Sequence, residues 1–261
     1  MHLQFAKWHG TGNDFILIDD RDGAFPATGS DLVKELCDRH LGIGSDGLIL
    51  IQAPRSAGAR FHMEFFNPDG SRSFCGNGSR CAFAFWSGLE GTREEADFSA
   101  IDGAHNARWV DGMVSVSLNF TGVVSRAFDG EQVDFVHNGS PHELVWVEDP
   151  GAVQVLAEGR ERRHAQRHTP GGTNVNFVTV RDGAVHMRTY ERGVEAETLS
   201  CGTGVVAAAL SALEREMLSS PVTVHTPGGR LQVRVERGAD GPWGIRLVGP
   251  VKHVFSGSID H

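Results

Sequence analysis

Apolar runs of strand length, separated by glycine turns, occupy most of this 261-residue chain. Continuous apolar runs over 13–19, 48–52 and 61–66 predict strands in the first half, with further strands near 98, 109 and 114–118. Helical spacing over 31–40 predicts an amphipathic helix. Two other segments, 79–86 and 205–213, are apolar almost all round, which predicts buried helices. Strands therefore dominate, with one core helix in each half.

The two halves repeat the same order of elements. A Gly/Thr turn precedes an apolar strand that begins with asparagine, first at Asn13 and again at Asn174. Each buried helix follows a Cys-Gly-x-Gly sequence and is followed by a strand and a glycine turn. Gly103 lies 28 residues after Cys75, and Gly228 lies 27 residues after Cys201. A shared order and a shared local spacing indicate an internal duplication.

The duplication predicts an α+β fold of two pseudo-symmetric lobes, each a curved, mostly antiparallel sheet or barrel around a central helix. We expect residues 1–120 to form an N-terminal lobe, to which residues 251–261 return. Residues 121–250 are expected to form the C-terminal lobe, with the boundary between Thr121 and Asp129.

Composition narrows the class of protein. Hydrophobic residues make up 40% and charged residues 22%, which excludes disordered, collagenous and coiled-coil proteins. The formal charge of −9 disfavours nucleic acid as a partner. No apolar window of about 18 residues spans a membrane, and the N-terminus does not read as a secretory signal. With only four cysteines, we expect a cytoplasmic protein whose thiols are reduced.

Cys75 and Cys201 are the candidates for chemistry. Each is expected at the start of a buried helix, where free N–H groups and the helix dipole bind anions and lower the pKa of a thiol. A single cysteine at such a place could equally be there because a tight turn needs a small residue. Two cysteines at corresponding places of the two halves favour a role of both thiols in catalysis. Opposed thiol and thiolate suit inversion at a carbon with a weakly acidic hydrogen.

Two other signals are discounted. The sequence Gly42–Gly47 matches a dinucleotide fingerprint, but a predicted helix precedes it and a strand follows, which is the wrong order. Cys75 and Cys81 lack the usual zinc spacing and have no nearby histidines. We therefore expect no metal, and we expect Cys37 and Cys81 to be buried core thiols.

Five motifs closely resemble those of diaminopimelate epimerases. They are Lys7–Phe15, Phe66–Ser71, Cys75–Cys81, Tyr190–Gly193 and Glu197–Gly204, and they follow the family's order. The resemblance implies an epimerase without pyridoxal phosphate or another cofactor, which interconverts LL- and meso-diaminopimelate for lysine and peptidoglycan synthesis. It also implies two similar lobes with the active site between them, and a homodimer.

The resemblance implies roles for individual residues. Cys75 and Cys201 resemble the two acid/base cysteines, and His142 resembles a histidine beside the site that, with Glu191, helps to orient or tune the thiols. The expected backbone donors to the reacting α-carboxylate are Gly76, Asn77, Gly202 and Thr203. The residues expected to bind mainly the distal end of the substrate are Asn13, Asn67, Asn174, Glu191 and Arg192.

The chain departs from the family pattern at two further positions. Gly47 stands where many members carry glutamine, so that side-chain contact is lost. Ser140 stands where many carry asparagine, and its hydroxyl keeps one hydrogen bond. Two alternative functions stay open. One is a related cofactor-independent racemase or epimerase for another amino acid. The other is a non-catalytic thiol switch or carboxylate-binding module.

Overall fold

The computed structural model describes residues 2–26, 30–119, 123–126, 132–236 and 244–260. The strands are β1 (His2–Gly10), β2 (Asn13–Asp20), β3 (Leu48–Gln52), β4 (Phe61–Phe66), β5 (Ala96–Ala100), β6 (Gly103–Val110), β7 (Met113–Leu118), β8 (Val123–Arg126), β9 (Val133–His137), β10 (Pro141–Trp146), β11 (Asn174–Arg181), β12 (Ala184–Glu191), β13 (Ala196–Thr198), β14 (Val222–Thr226), β15 (Gly229–Glu236), β16 (Gly244–Gly249) and β17 (Lys252–Asp260). The helices are α1 (Ser30–Cys37), α2 (Gly76–Glu90), α3 (Val155–Arg163) and α4 (Gly202–Glu214), with short 3-10 helices at Pro150–Ala152 and Gln166–His168.

The chain divides into two compact units. Unit 1 comprises residues 1–119 and 249–261, and unit 2 comprises residues 120–248. The boundary expected between Thr121 and Asp129 falls mostly outside the described residues. Strands outnumber helices in both units, which confirms the predicted fold class.

Unit 1 is a mostly antiparallel sheet with the order β17-β1-β2-β3-β4-β5-β6-β7. Among the strand pairs of this order, two are parallel. β2 and β3 are joined through α1, and β4 and β5 are joined through α2. Parallel neighbours require such a crossover, whereas antiparallel strands that follow each other in the sequence do not, and β17 pairs with β1 from the other end of the sequence.

Both faces of β2 and β3 are buried, which explains their continuous apolar sequences. Phe15, Leu17, Ile49 and Ile51 pack into the core around α2. The alternate residues Ile16, Ile18, Leu48 and Leu50 pack with α1 on the opposite face. Because successive side chains of a strand point to opposite faces, one apolar run supplies two cores. The helix α2 contacts six strands of unit 1, from β1 to β7, so the sheet curves around it.

Unit 2 repeats this topology with the order β8-β9-β10-β11-β12-β14-β15-β16. Here β10 and β11 are parallel and joined through α3, and β12 and β14 are parallel and joined through α4. The small strand β13 pairs with β12. Thus α4 corresponds to α2, as predicted, and its apolar side chains from Val205 to Leu210 are almost completely buried.

One predicted correspondence is wrong. The sequence pairs the strand after Asn13 with the strand after Asn174, but these are β2 and β11. In unit 1, β2 comes before the crossover helix α1, whereas in unit 2, β11 comes after the crossover helix α3. The counterpart of β2 is therefore β10. The Gly/Thr turns match only in composition, because the chain reaches them from different elements.

The second predicted correspondence holds in the backbone. Gly103 begins β6 with a φ of +125°, and Gly229 begins β15 with a φ of +139°. Side chains rarely adopt such angles, so glycine serves the same turn in both units. The matching residue is Gly229, which lies 28 residues after Cys201, the same distance that separates Gly103 from Cys75.

Candidate active site

Cys75 is the N-cap of α2. Its backbone is extended (φ −130°, ψ 113°), its Sγ accepts from the Gly78 amide, and its carbonyl accepts the first helical bond from Ser79 N at 2.8 Å. The Sγ–N distance to Gly78 is 3.4 Å. An N-cap side chain lies directly over the amides of the first turn, so the thiol faces the positive end of the helix dipole.

Cys201 is the N-cap of α4 in unit 2, with similar backbone angles (φ −108°, ψ 111°). Its Sγ lies 3.4 Å from the Thr203 hydroxyl. The Thr203 carbonyl is held by Asn138 Nδ2 at 2.8 Å, which fixes the first turn of the helix. The two candidate thiols therefore occupy equivalent caps of equivalent helices.

The other two cysteines are core residues, as predicted. Cys81 is fully buried in α2, and burial raises the pKa of its thiol to about 12. Burial also raises the pKa of Cys37, whose Sγ lies 3.4 Å from the Ser45 hydroxyl. Both stay protonated at neutral pH, so neither can serve as a base.

A chain of amides connects Cys75 to the surface of unit 1. Asn13 Oδ1 accepts from Asn77 Nδ2 at 3.2 Å and lies 3.9 Å from Cys75 Sγ. Asn13 Nδ2 donates to Asp46 Oδ2 at 2.8 Å. Asn77 Oδ1 in turn accepts from Arg80 Nη1 at 3.0 Å. The side chains of Asn13, Asn77 and Cys75 therefore lie together at the start of α2.

Salt bridges hold these hydrogen-bonded amide side chains in place. Asp14 pairs with Lys7 Nζ and with Arg39, each at 2.7 Å, and Arg39 also reaches Asp46 at 2.7 Å. Burial raises the pKa of Asp14, but hydrogen bonds from Arg39 and Lys7 outweigh it and bring the value to about 2. The Asp14 carboxylate is therefore ionised at neutral pH and anchors β2 beside the site.

Asn67 organises the loop that leads to Cys75. Its Nδ2 donates to the hydroxyls of Ser71 and Ser73 at 3.0 and 3.1 Å, and its backbone amide donates to the Ser71 carbonyl. The expected binding residue thus has its amide donors engaged by its own loop. Its Oδ1 also lies 3.3 Å from the Ser73 hydroxyl, within the same loop.

His142 is completely buried in unit 2. Burial, with smaller contributions from the charges of Arg192 and His137, lowers the pKa of this imidazole to about 3, so it is neutral. Its Nδ1 lies 3.3 Å from Asn176 Nδ2, which can only donate, so the ring proton is on Nε2. Within the described part of the chain, Nε2 has no hydrogen-bond partner.

Asn174 ties together two loops of unit 2. Its Nδ2 donates to Ser140 Oγ at 2.8 Å and to the Pro141 carbonyl at 2.9 Å, and its Oδ1 accepts from the Arg192 amide at 2.9 Å. Both N–H groups of the Asn174 side chain are therefore engaged within unit 2, one of them by the Ser140 hydroxyl. Arg192 itself is exposed. The neighbouring carboxylate, Glu191 Oε2, accepts a hydrogen bond from the Thr198 hydroxyl at 2.7 Å.

Gly47 is required by its surroundings. A Cβ at this position would lie 2.4 Å from the ring of Phe65 and 2.8 Å from the Phe66 carbonyl. The aromatic ring fills the space into which a longer side chain at position 47 would extend. The departure from the family's glutamine is therefore coupled to Phe65.

Sequence reasoning missed three residues near the caps. Arg80 and Asp46 lie at the two ends of the amide chain in unit 1, and Asn176 contacts His142 in unit 2. Charged or amide residues inside apolar segments were the available signal, because a buried polar group needs a partner. Asn176 also lies where a Cβ on Gly204 would be 2.6 Å from its Oδ1, so it packs against the first turn of α4.

Across the described residues, no group of three or more histidine, cysteine or carboxylate side chains could hold a metal ion. No described helix is long and apolar enough to cross a membrane.

Comparison with solved structures defines the class of fold. The fold resembles that of a PhzF-family phenazine biosynthesis protein from Bacillus anthracis, with a TM-score of 0.79, 12% identity and complete coverage of both chains. It also resembles that of a hydroxyproline epimerase from Agrobacterium vitis, with a TM-score of 0.72, 17% identity, and coverage of 99% of this chain and 92% of the other. These likenesses show that the fold of this chain is shared with both proteins.

Sequence comparison identifies the family. A profile of the diaminopimelate epimerases matches residues 5–111 and 135–254. The chain is 38% identical to the diaminopimelate epimerase of Flavobacterium psychrophilum, over 98% of this chain and 100% of the relative. It is 41% identical to the diaminopimelate epimerase of Chlorobaculum tepidum, over 96% of this chain and 98% of the relative. The chain therefore belongs to the diaminopimelate epimerase family, which confirms the resemblance read from its motifs.

Proposed function

We propose that this protein interconverts LL- and meso-diaminopimelate by transferring the α-proton between Cys75 and Cys201. Family membership supports the substrate, and one observation carries the mechanism: the two thiols are the N-caps of the equivalent helices α2 and α4. The other two cysteines are buried thiols whose pKa values are raised.

The reaction needs one thiolate and one thiol. The thiolate removes the α-proton, and the electron pair left on carbon is delocalised into the carboxylate. The opposite thiol then delivers its proton to the other face, which inverts the centre and exchanges the states of the two cysteines. Amides at a helix N-terminus stabilise the charge that develops on the carboxylate. We assign this role to the backbones of Gly76, Asn77, Gly202 and Thr203.

The distal end of the substrate is assigned to polar side chains around the caps. Arg192 is exposed and can form a paired hydrogen bond with a carboxylate. The contacts of Asn67 and Asn174 within their own loops favour roles in shaping the site, because the amide groups of both side chains are already engaged. Asn13 and Glu191 complete the assigned set. We place His142 beside the site, as a neutral donor through Nε2–H to a thiolate.

Hydrogen exchange tests this proposal. Incubation with LL-diaminopimelate in deuterated water should give meso product with deuterium at one α-carbon. Cys75→Ala and Cys201→Ala should each lower the rate of inversion by about 10²–10⁴-fold, because either direction needs both a base and an acid. Cys37→Ala and Cys81→Ala are the matched controls and should keep the rate. Near-normal turnover in Cys75→Ala or Cys201→Ala would refute the two-thiol mechanism.

A second candidate keeps the reaction and changes the substrate. The packing of Phe65 at Gly47 removes one side-chain contact that many family members have. The hydroxyproline epimerase with a similar fold was solved with trans-4-hydroxy-L-proline, so another amino acid is the natural alternative. Turnover of alanine or 4-hydroxyproline at a rate comparable to diaminopimelate would favour this candidate.

We also propose that the protein is a cytoplasmic homodimer. Sedimentation of the purified protein tests its oligomeric state.

A further inference from the structure

Arg80 is a buried cation beside the Cys75 cap. It lies in the second turn of α2, and its side chain is 0% exposed. Nη1 donates to Asn77 Oδ1 at 3.0 Å, whereas Nε and Nη2 have no hydrogen-bond partner in the described part of the chain. No described carboxylate lies within ion-pair distance of this guanidinium. A buried charge without a counter-ion is costly, so its presence calls for an explanation.

The ionisable neighbours of Arg80 are thiols. Burial lowers the pKa of Arg80 to about 10, and the charges that oppose this effect among the described residues are those of Cys81 and Cys75. Arg80 therefore keeps its proton at neutral pH. Cys81, with a pKa raised by burial to about 12, stays a thiol. Only Cys75 is left to supply a negative charge.

Carboxylates on the strands that pack against α2 are already engaged. Asp14 on β2 pairs with Lys7 and Arg39, and Glu64 on β4 lies near Arg55, Arg72 and His62. Among the remaining ionisable groups of these strands, His2 pairs with Asp260, Asp19 pairs with Arg21, and Asp20 accepts from Phe25 N and Gln52. His105 pairs with Asp102, Arg108 lies near Glu95, and His9 accepts from Gly12 N. β3 and β7 carry no ionisable side chain.

Arg80 also fixes the direction of the amide chain that faces Cys75. A guanidinium only donates and an ionised carboxylate only accepts. Arg80 therefore turns Asn77 Oδ1 towards itself and Asn77 Nδ2 towards Asn13, while Asp46 takes the Asn13 Nδ2. The result leaves Asn13 Oδ1 directed at Cys75 Sγ, at 3.9 Å.

Both forms of Cys75 then have a partner. The thiol can donate its S–H to Asn13 Oδ1, and the thiolate can accept from the Gly78 amide while its charge offsets that of Arg80. A residue that serves as base in one direction and acid in the other needs both forms to be accessible. The room for the guanidinium comes from Gly10, where a Cβ would lie 2.9 Å from Arg80 Nη2.

We propose that Arg80 is a positioning residue for Cys75, with its buried charge stabilising the thiolate and its bond to Asn77 orienting the acceptor of the thiol. The proposal deepens the proposed function, since it rests on Cys75 acting as an acid and base there.

Alkylation of the free enzyme tests this without substrate. The rate of iodoacetamide reaction at Cys75 is followed against pH by quantifying its peptide, with Cys201 measured in the same sample. Arg80→Gln should raise the apparent pKa of Cys75 by about one unit or more, which is about a tenfold slower reaction at pH 7. Arg80→Lys should restore most of the rate, because it keeps the charge.

Two controls separate this effect from a general disturbance. The profile of Cys201 should not move in Arg80→Gln. Arg93→Gln removes a charge from the same unit, where the guanidinium lies over the Trp109 ring, and should leave both profiles unchanged. An unchanged Cys75 profile in folded Arg80→Gln would overturn the proposal, as would an equal shift at Cys201.

A second measurement covers the case in which Arg80→Gln does not fold. Cys75→Asp supplies the carboxylate that Arg80 lacks, whereas Cys75→Asn is its neutral match and an equally good N-cap. Cys75→Asp should unfold at a higher urea concentration than Cys75→Asn, by more than Cys201→Asp exceeds Cys201→Asn. The Cys201 pair measures the same exchange at the equivalent N-cap of α4, which includes the effect of the helix dipole. A difference at position 75 no larger than at 201 would contradict the proposal.

The outcomes distinguish the two proposals. If the protein does not exchange the α-hydrogen of diaminopimelate, but the pH profile of Cys75 alkylation depends on Arg80, the proposed function is refuted and the role of Arg80 is retained. An active epimerase whose Cys75 profile ignores Arg80 would do the reverse.

Discussion

At the scale of single residues, neighbouring side chains decide what a position can accept. Gly47 illustrates this, because the ring of Phe65 occupies the volume that any side chain there would need. Phe65 in turn packs edge-on against Phe15, with ring centroids 6.0 Å apart, and is fixed by the core around α2. The residue that position 47 can accept therefore depends on the side chain at position 65.

Gly47→Ala should therefore lower the free energy of unfolding by about 1–3 kcal/mol, the usual cost of overpacking. Phe65→Leu removes the ring atoms that would collide, so the double variant should lose less than the sum of the two single variants. A double-mutant cycle in urea measures this coupling. Gly88→Ala is the control, since a Cβ on this α2 residue would meet nothing within 4 Å and should not destabilise. Strict additivity of the two substitutions would contradict the interpretation.

At the scale of elements, a buried carboxylate joins β10 to the last turn of α3 and to the segment that follows it. Glu143 is 0% exposed and pairs with Arg162 at 2.7 Å, with Arg167 at 2.9 Å, and with His168. Burial raises the pKa of Glu143, but the hydrogen bonds from His168, Arg167 and Arg162 outweigh it and lower the value to about 2. Asn176 also donates to the Glu143 carbonyl, so the cluster supports the strand that carries His142.

Glu143→Gln should destabilise the protein by about 3 kcal/mol at pH 7, because it removes the buried negative charge that Arg162 and Arg167 share. The folded pKa of about 2 lies below the ordinary value of 4.5, so this contribution is present above about pH 4.5 and is lost as the pH falls towards 2. Urea midpoints between pH 3 and 7 should thus converge for the variant and the unmodified protein in acid. Glu161→Gln, at an exposed position of α3, is the control. Parallel curves at all pH values would exclude the assignment.

At the scale of the whole molecule, the last strand completes unit 1. β17 pairs with β1 from His2–Asp260 to His9–Lys252, which joins residues about 250 positions apart in the chain. Phe255 meets Phe5 edge-on at 5.9 Å, and His253 lies against Trp8 with ring centroids 5.2 Å apart. Unit 2, by contrast, is one continuous segment.

Truncation after Pro250 should therefore weaken unit 1, because β1 loses a whole row of backbone hydrogen bonds and Val251 leaves the core around α2. We expect a lower thermal midpoint and a change in Trp8 fluorescence. A synthetic peptide of residues 251–261 should restore both, whereas a scrambled peptide of equal composition should not. A truncated chain as stable as the full one would show that β17 contributes little.

Local sequence determined the elements, the class of fold and the two caps. Apolar runs such as 48–52 and 61–66 form β3 and β4 with those bounds, and both Cys-Gly-x-Gly sequences begin helices. These features depend on side chains a few residues apart, since strand and helix periodicity and the conformational freedom of glycine are local properties. The family motifs lie in the same short segments, which is why the family could be named from them.

The tertiary structure decided what depends on residues far apart in the chain. The counterpart of β2 is β10, because parallel pairing follows the crossover helix and not the composition of a turn. The groups that surround Gly47 and Glu143 come from other elements, and the room for Arg80 is left by Gly10 of β1. The segments around these three residues therefore do not show what each of them meets in the folded protein. A buried charge or a packed glycine is defined by the groups that exclude water around it, and the fold alone brings those groups together.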